Sequence, residues 1–208
     1  MHFYGLTLCC TTSSFHNTKI RDTFRPMPTF PDLLYPLSFM RMTRKLPKLN
    51  FSELEASQIP EPYASLLVHD GDMTSRLEAY HESALSVSPL RSSNDGKSYF
   101  REVLLTSTEN DQAVEYGAIE ITLKHLPEEV RPLVIQAKQP LGGLLNEYRI
   151  PYSSSPRAFL KIIPDGPIVE AFGSVESDEL YGRSNQITGF NGDIIARIVE
   201  ILPTLVSN

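Results

Sequence analysis

The sequence has few of the residues that build the simplest functional sites. Of its 208 residues, two are cysteines, which are adjacent at positions 9 and 10, and none is tryptophan. Two adjacent cysteines cannot build a disulfide framework or a cysteine-based zinc site. The five histidines are scattered and lack the spacing that places two of them on one helix face. We therefore expect no bound metal.

Long apolar runs and an excess of positive charge are also missing. No apolar run approaches the ~18 residues that a membrane-spanning helix needs. The net charge of −6 disfavours a non-specific nucleic-acid binder, and 41% hydrophobic residues is ordinary for a globular protein. We expect a cytoplasmic protein with no nucleic-acid partner. The sequence does not indicate whether the protein is a monomer or an oligomer.

Charge is unevenly distributed along the chain. Residues 1–50 hold seven Lys/Arg and two acids, a net of +5, whereas residues 51–208 carry a net of −11. The first segment also contains five prolines and one glycine, and it sustains no hydrophobic period. Such a composition predicts a poorly ordered extension over residues 1–50. Residues 51–208 are predicted to form the folded domain.

Strand patterns dominate the chain after residue 51. They occur at residues 84–90, 98–107, 113–124, 158–163, 167–172, 181–188 and 194–202. Tight-turn sequences such as Asn94-Asp95-Gly96 separate several of them, and helical patterns interrupt the series. Strands joined by tight turns with intervening helices predict an α+β fold with a largely antiparallel sheet.

Arg101 stands in a strand pattern that is apolar on both faces. Alternate residues of a strand share a face, so Arg101 lies with Tyr99 and Val103 while Glu102 points to the other face. A buried arginine must either pair with an acid or bind an anion, and its planar guanidinium fits a carboxylate with two hydrogen bonds. Arg101 is therefore either part of a structural ion pair or an anion-binding group.

Two further features allow a similar pair of interpretations. Glu200 lies in the apolar pattern of residues 194–202, where a carboxylate either pairs with a cation or acts as an acid or a hydrogen-bond partner. Residues 140–143 (PLGG) combine glycines with a helix start, where backbone N–H groups favour an anion. The simpler alternative for Glu200 is a satisfied ion pair, and the simpler alternative for residues 140–143 is a plain loop.

Five short motifs, taken in order, resemble those of chorismate pyruvate lyases, which make 4-hydroxybenzoate from chorismate. Residues 66–77 (LLVHDGDMTSRL) are similar to the family's N-terminal signature, and residues 100–105 (FREVLL) to its R-E-I-L-L strand. Residues 140–142 (PLG) resemble the flap motif and residues 181–183 (YGR) resemble W-G-R. Residues 192–200 resemble the last strand, which carries the catalytic glutamate.

The resemblance implies a fold and a reaction. The fold is a compact antiparallel sheet of about six strands, with helices and two helical flaps that enclose an internal cavity. The reaction is the cofactor-free carbon–oxygen lyase step of ubiquinone biosynthesis, which converts chorismate to 4-hydroxybenzoate and pyruvate. By resemblance, Arg101 holds the aromatic carboxylate, assisted by backbone N–H groups at Met73 and at Leu141 beside Gly142. Glu200 meets the ring hydroxyl and is catalytic together with Arg101.

The sequence departs from the family pattern at two positions. A second arginine on the third strand, which would hold the pyruvyl carboxylate, is Ala118 here. Glu200 lies one residue nearer the following proline than in the bacterial enzymes, and a one-residue slip turns a strand side chain to the opposite face.

These departures leave two alternatives to the lyase. The first is a non-catalytic protein of the same fold that binds an aromatic acid, since this fold also serves as the small-ligand effector domain of some bacterial transcription regulators. Residues 1–50 are too rich in proline for the helix-turn-helix such regulators carry. The second is a lyase or hydrolase that acts on a related hydroxylated cyclic acid.

Overall fold

The computed structural model describes residues 32–173 and 175–205, which form an α+β fold around one antiparallel sheet. The strands in this part of the chain are β1 (Asn50–Leu54), β2 (Leu85–Asn94), β3 (Ser98–Ser107), β4 (Ala113–Thr122), β5 (Tyr152–Ile163), β6 (Leu180–Gly189) and β7 (Ile194–Ile201). Its α-helices are α1 (Leu37–Thr43), α2 (Tyr63–Leu67), α3 (Met73–His81), α4 (Arg131–Gln136), α5 (Leu141–Glu147) and α6 (Gly166–Phe172). The predicted fold class is confirmed.

The strand order across the sheet is β1-β5-β6-β7-β4-β3-β2, and every neighbouring pair is antiparallel. β7 follows the other strands in the chain but lies between β4 and β6. β2 and β3 form the predicted hairpin, whose turn contains Gly96 with a φ of +85°. The sheet has seven strands rather than about six, because β1 adds an edge next to β5.

The two faces of the sheet are covered by different helices. On one face, α1 and α6 contribute Leu37 and Ile168 to a core cluster that also contains Ala118 of β4. On the other face, α4 and α5 pack in one apolar cluster, while α2 and α3 pack in another. The space between these last two clusters becomes the cavity described below.

The structure differs from the predicted extension over residues 32–50. α1 buries Leu37 and Met40 in the core, and the buried Arg41 forms an ion pair with Asp165. These two residues are 124 positions apart, so no local pattern reveals that Arg41 is held inside the fold. The folded domain therefore includes Asp32 onward instead of starting at residue 51. Residues 1–31 of the predicted extension lie outside the described residues.

The predicted strand at residues 167–172 is wrong, because these residues form α6. Asp165 has the extended backbone of an N-cap residue, and Pro167 lies in the first turn, where its missing N–H costs nothing. Gly173, with a φ of +79°, ends the helix. These start and stop signals outweigh the short apolar run that resembles a strand.

Candidate functional site

A cavity lies on the sheet face that α3 and α5 cover. Strands β3, β4, β6 and β7 form much of its wall, and the first residues of α3 and α5 form its rim. The free volume is ≈ 70 Å³, the space of a few water molecules. The polar residues that line it are Asp72, Thr74, Arg101, Glu115, Tyr152, Ser154, Asn185 and Glu200. The other lining residues are apolar or glycine.

Arg101 points into this cavity from the middle of β3, opposite Ile119 of β4. Its side chain is buried, with 3% of its surface exposed. Nη2 donates a hydrogen bond to the main-chain oxygen of Gln139 at 3.4 Å, while Nε and Nη1 have no partner among the described residues. None of the ion pairs in the described part of the chain includes Arg101. Burial lowers the pKa of the guanidinium, as expected for a cation held without an anion.

The rim brings the starts of α3 and α5 together. Asp72 caps α3, since its Oδ2 accepts hydrogen bonds from the backbone N–H and the hydroxyl of Ser75 at 3.0 and 2.7 Å. Gly142 of α5 lies against this carboxylate so closely that a Cβ there would overlap Asp72 Oδ1. Met73 and Leu141, the first residues of the two helices, line the cavity. The first N–H groups of a helix have no partner within it, so the rim carries backbone donors.

Glu200 lines the cavity from β7, opposite Gly117 in a regular part of the ladder. No bulge is needed to turn its side chain inward. Its Oε2 accepts a hydrogen bond from Nε of Arg183, with which it forms a buried ion pair. Glu200 therefore occurs in the ion-paired form that the sequence left open as one alternative.

Arg183 ties three parts of the molecule together, a role that the Y-G-R motif alone did not predict. The side chain is fully buried, and Nη1 donates to the main-chain oxygens of Leu67 and His69 at 3.2 and 2.9 Å. Nη2 reaches the main-chain oxygen of Gly71 at 3.5 Å. Burial, then the positive charge of Arg183, lowers the pKa of His69 to about 4, so this histidine is neutral at physiological pH. The loop that leads into α3 is thus fastened to the sheet.

Glu115 is a further cavity residue that the sequence analysis missed. It lies on β4, it is buried, and its Oε2 has no partner in residues 32–173 and 175–205. Burial, reinforced by the negative charge of Glu200, raises the pKa of Glu115 well above its usual range, although Arg183 opposes the shift. This shift favours the neutral acid, which donates a hydrogen bond. A single acid in the otherwise apolar alternation of Glu115, Gly117 and Ile119 is the signal that could have identified it.

The structure brings the five predicted site residues together around one cavity. Arg101, Met73, Leu141, Gly142 and Glu200 all line it, and their ligand-binding roles stay predictions. Ala118, which replaces the family's second arginine, is fully buried in the core cluster on the opposite face of the sheet.

The described residues contain no cluster of three or more His, Cys, Asp or Glu side chains that could hold a metal ion. No helix of residues 32–173 and 175–205 is long and apolar enough to cross a membrane.

Comparison with known proteins gives matches at the level of structure. The sequence matches no protein-family model and no curated protein. The effector domain of PhnF from Mycobacterium smegmatis matches with a TM-score of 0.50 and 10% identity, covering 68% of this chain and 98% of that domain. The PhnF structure from the same organism matches with a TM-score of 0.49 and 10% identity, covering 68% of this chain and 70% of the other.

A further match is the ligand-binding domain assigned to a GntR-family transcriptional regulator from Bordetella bronchiseptica. It has a TM-score of 0.42 and 11% identity and covers 60% of this chain and 92% of that domain. At these identities, the likeness to the PhnF effector domain shows a shared fold and nothing finer. This fold agrees with the α+β class predicted from the sequence.

The prediction of a chorismate-cleaving lyase is wrong against these comparisons, and so is its assignment to ubiquinone biosynthesis. The match with a TM-score of 0.50 is described as an effector domain. The motif resemblance identified the fold correctly, because short apolar and glycine-containing motifs record how strands and flaps pack. It misassigned the activity, because a fold hosts both enzymes and binding domains.

Proposed function

We propose that the chain is a non-catalytic binding protein for small organic carboxylates, with Arg101 as the anion-binding residue. The observation that carries this proposal is the buried guanidinium of Arg101, whose Nε and Nη1 have no partner in a cavity. A buried charge without a partner is costly, and a bound carboxylate removes that cost with two parallel hydrogen bonds. The arginine is thus better suited to a ligand than to holding the fold together.

The rest of the cavity supports a ligand with an apolar body. Val103 and Leu105 of β3, Ile119 of β4, and Ile198 of β7 line its walls. Such walls suit the hydrocarbon part of an aromatic or alicyclic acid. Backbone N–H groups at Met73 and Leu141 are additional donors for the carboxylate.

Two observations favour binding over catalysis. The Glu200 carboxylate is engaged by Arg183, which also holds the loop before α3, so the ion pair has a structural role. The matching domains are described as an effector domain and a ligand-binding domain of regulators. A ligand-binding domain needs a shaped cavity with an anchoring charge, and this cavity has both.

Calorimetric titration with benzoate tests the role of Arg101. In Arg101→Lys the charge is kept but the planar pair of donors is lost, and loss of a buried charge-assisted contact costs about 2–5 kcal/mol, or roughly 30- to several-thousand-fold in affinity. Arg197→Lys is the matched control, because Arg197 donates to Glu120 at 3.0 Å outside the cavity lining. An Arg101→Lys protein that binds benzoate as tightly as the unmodified chain would contradict the proposal.

Incubation with chorismate tests the absence of catalysis. We expect no release of pyruvate, because Glu200 is held in its ion pair with Arg183. A coupled assay with lactate dehydrogenase measures pyruvate directly. Steady pyruvate production by the unmodified chain, lost in Glu200→Gln, would overturn the non-catalytic assignment.

A further inference from the structure

Glu115 and Arg101 lie at different levels of the same cavity. Arg101 is opposite Ile119 in the β3–β4 ladder, whereas Glu115 is opposite Leu105. Four residues of β4 therefore separate the two levels, about 13 Å along the strand at ~3.3 Å per residue. Both side chains line the cavity, with Gly117 between their levels. A ligand whose carboxylate meets Arg101 thus extends its other end toward Glu115.

Within the part of the chain that the structure describes, no residue is a hydrogen-bond partner of Glu115 Oε2. Its Oε1 lies over Gly117, where a Cβ would be only 3.0 Å away, so the glycine makes room for the carboxyl group. Its Oε2 is buried and has no hydrogen bond. Arg183, the nearby cation, already donates to Glu200 and to three main-chain oxygens.

The charges that face Glu115 are those of Glu200 on β7, Arg183 on β6 and Asp72 before α3. Two of the three are negative, and the positive one is paired with Glu200. An ionised Glu115 would add a further negative charge to this group, which disfavours ionisation. The raised pKa of Glu115 agrees with this arrangement. A neutral carboxyl group with a buried, unsatisfied oxygen calls for a partner that can accept its proton in a hydrogen bond.

Resting on the carboxylate-binding function above, we propose that Glu115 donates a hydrogen bond to an oxygen at the far end of the ligand. The cavity then selects carboxylates that carry a hydroxyl, keto or aldehyde oxygen opposite the carboxylate. Arg101 binds the carboxylate, and Glu115 distinguishes ligands that carry the opposite oxygen from ligands that lack it. Ligands without that oxygen leave the Glu115 carboxyl group buried and unsatisfied.

The test compares three probes that differ at one position: benzoate, 4-hydroxybenzoate and 4-formylbenzoate. The formyl oxygen only accepts hydrogen bonds. Calorimetry at one pH should show that the unmodified chain binds both oxygen-bearing probes about five- to tenfold more tightly than benzoate, the range of one neutral hydrogen bond. Glu115→Leu should abolish this preference and leave benzoate affinity within about twofold. Glu115→Gln, which keeps an N–H donor, should retain it.

Glu120→Gln is the matched control, since Glu120 is another buried glutamate of β4 and pairs with Arg197 outside the cavity lining. It should leave the preference unchanged. Equal binding of the three probes, or a preference that survives Glu115→Leu, would overturn the role of Glu115. The same holds for a preference restricted to 4-hydroxybenzoate, which would make Glu115 an acceptor.

The failure of this inference differs from the failure of the proposed function. If Glu115 is unimportant, the probes still bind and Arg101→Lys still weakens all three. If the carboxylate-binding function itself is wrong, none of the probes binds the unmodified chain, or Arg101→Lys leaves their affinities unchanged. The first result would contradict only the selectivity assigned to Glu115. The second would contradict both that selectivity and the carboxylate-binding function.

Discussion

Both faces of the sheet bury charged residues, but the two faces differ in which of these side chains have a partner. On the face covered by α1 and α6, Glu102 pairs with Arg44 at 3.0 Å, and Glu120 pairs with Arg197 at 3.0 Å. On the cavity face, Arg101 has two nitrogens without partners, and Glu115 has an unpartnered oxygen. The first face pairs these two glutamates, whereas the cavity face combines one buried ion pair, Arg183–Glu200, with polar atoms that have no partner among the described residues.

The contrast is sharpest between two adjacent residues of β3. Arg101 and Glu102 are both almost fully buried, yet Glu102 is satisfied by protein groups and Arg101 is not. Burial alone therefore does not identify a binding residue. The two residues differ in whether a described residue pairs with the charge, and this difference is the basis of the binding role proposed for Arg101.

The largest effect is expected for Arg183, the paired cation of the cavity face. Arg183→Met leaves Glu200 buried without a partner and releases the carbonyls of Leu67 and His69, which should lower the free energy of unfolding by about 3–5 kcal/mol. Urea denaturation measures this loss. The double variant Arg183→Met/Glu200→Leu should recover a large part of it, because no charge remains unpaired. A single variant as stable as the unmodified chain would show that the ion pair does not hold the α3 loop.

A change in stability smaller than that of Arg183→Met is expected for a Glu102 variant, and an Arg101 variant should not show it. Glu102→Gln removes the charge that Arg44 contacts and should lower the free energy of unfolding by roughly 1.5–3 kcal/mol. Arg101→Met removes a buried charge that has no partner, so the ligand-free protein should be as stable as before or more stable. Denaturant unfolding of both variants without ligand makes the comparison. An Arg101→Met protein destabilised as much as Glu102→Gln would place Arg101 among the structural charges.

The smallest effect concerns the pH dependence contributed by Glu115. Its pKa is raised in the folded protein, so between its ordinary value of 4.5 and the folded value only the unfolded state releases the proton. Stability from this group is therefore complete below pH 4.5 and is lost as the pH rises. Glu115→Gln does not titrate, so its melting temperature relative to the unmodified chain should be higher at pH 8 than at pH 4. A difference that is the same at both pH values would contradict the raised pKa.

The sequence was sufficient to predict the antiparallel sheet and five of the residues that line the cavity. Alternation along β3 separates Arg101 from Glu102, because side chains of a strand point to opposite faces by geometry. The PLGG motif indicates a helix start, and the structure places Leu141, the first residue of that helix, at the cavity rim. These features depend on local backbone rules, which short stretches of sequence express directly.

The rest depends on contacts between distant parts of the chain. Arg41 is buried because Asp165 lies beside it, and Arg183 is buried because it meets Glu200 and the loop at residues 67–71. A local window shows Arg41 only as one charge in a basic, proline-containing segment. Tertiary ion pairs override such compositional signals, and a single sequence does not display them.

The central position of β7 has a consequence for how the protein is made. β2-β3-β4 and β1-β5-β6 are two separate ladders until β7 joins β4 to β6. Translation proceeds at ~5–20 residues per second, so the edges of β4 and β6 have no pairing strand until β7 is synthesised. Exposed strand edges of this kind promote aggregation. Arg101 and Glu115 belong to one ladder and Arg183 to the other. A nascent chain therefore cannot form the cavity until its central strand has emerged from the ribosome.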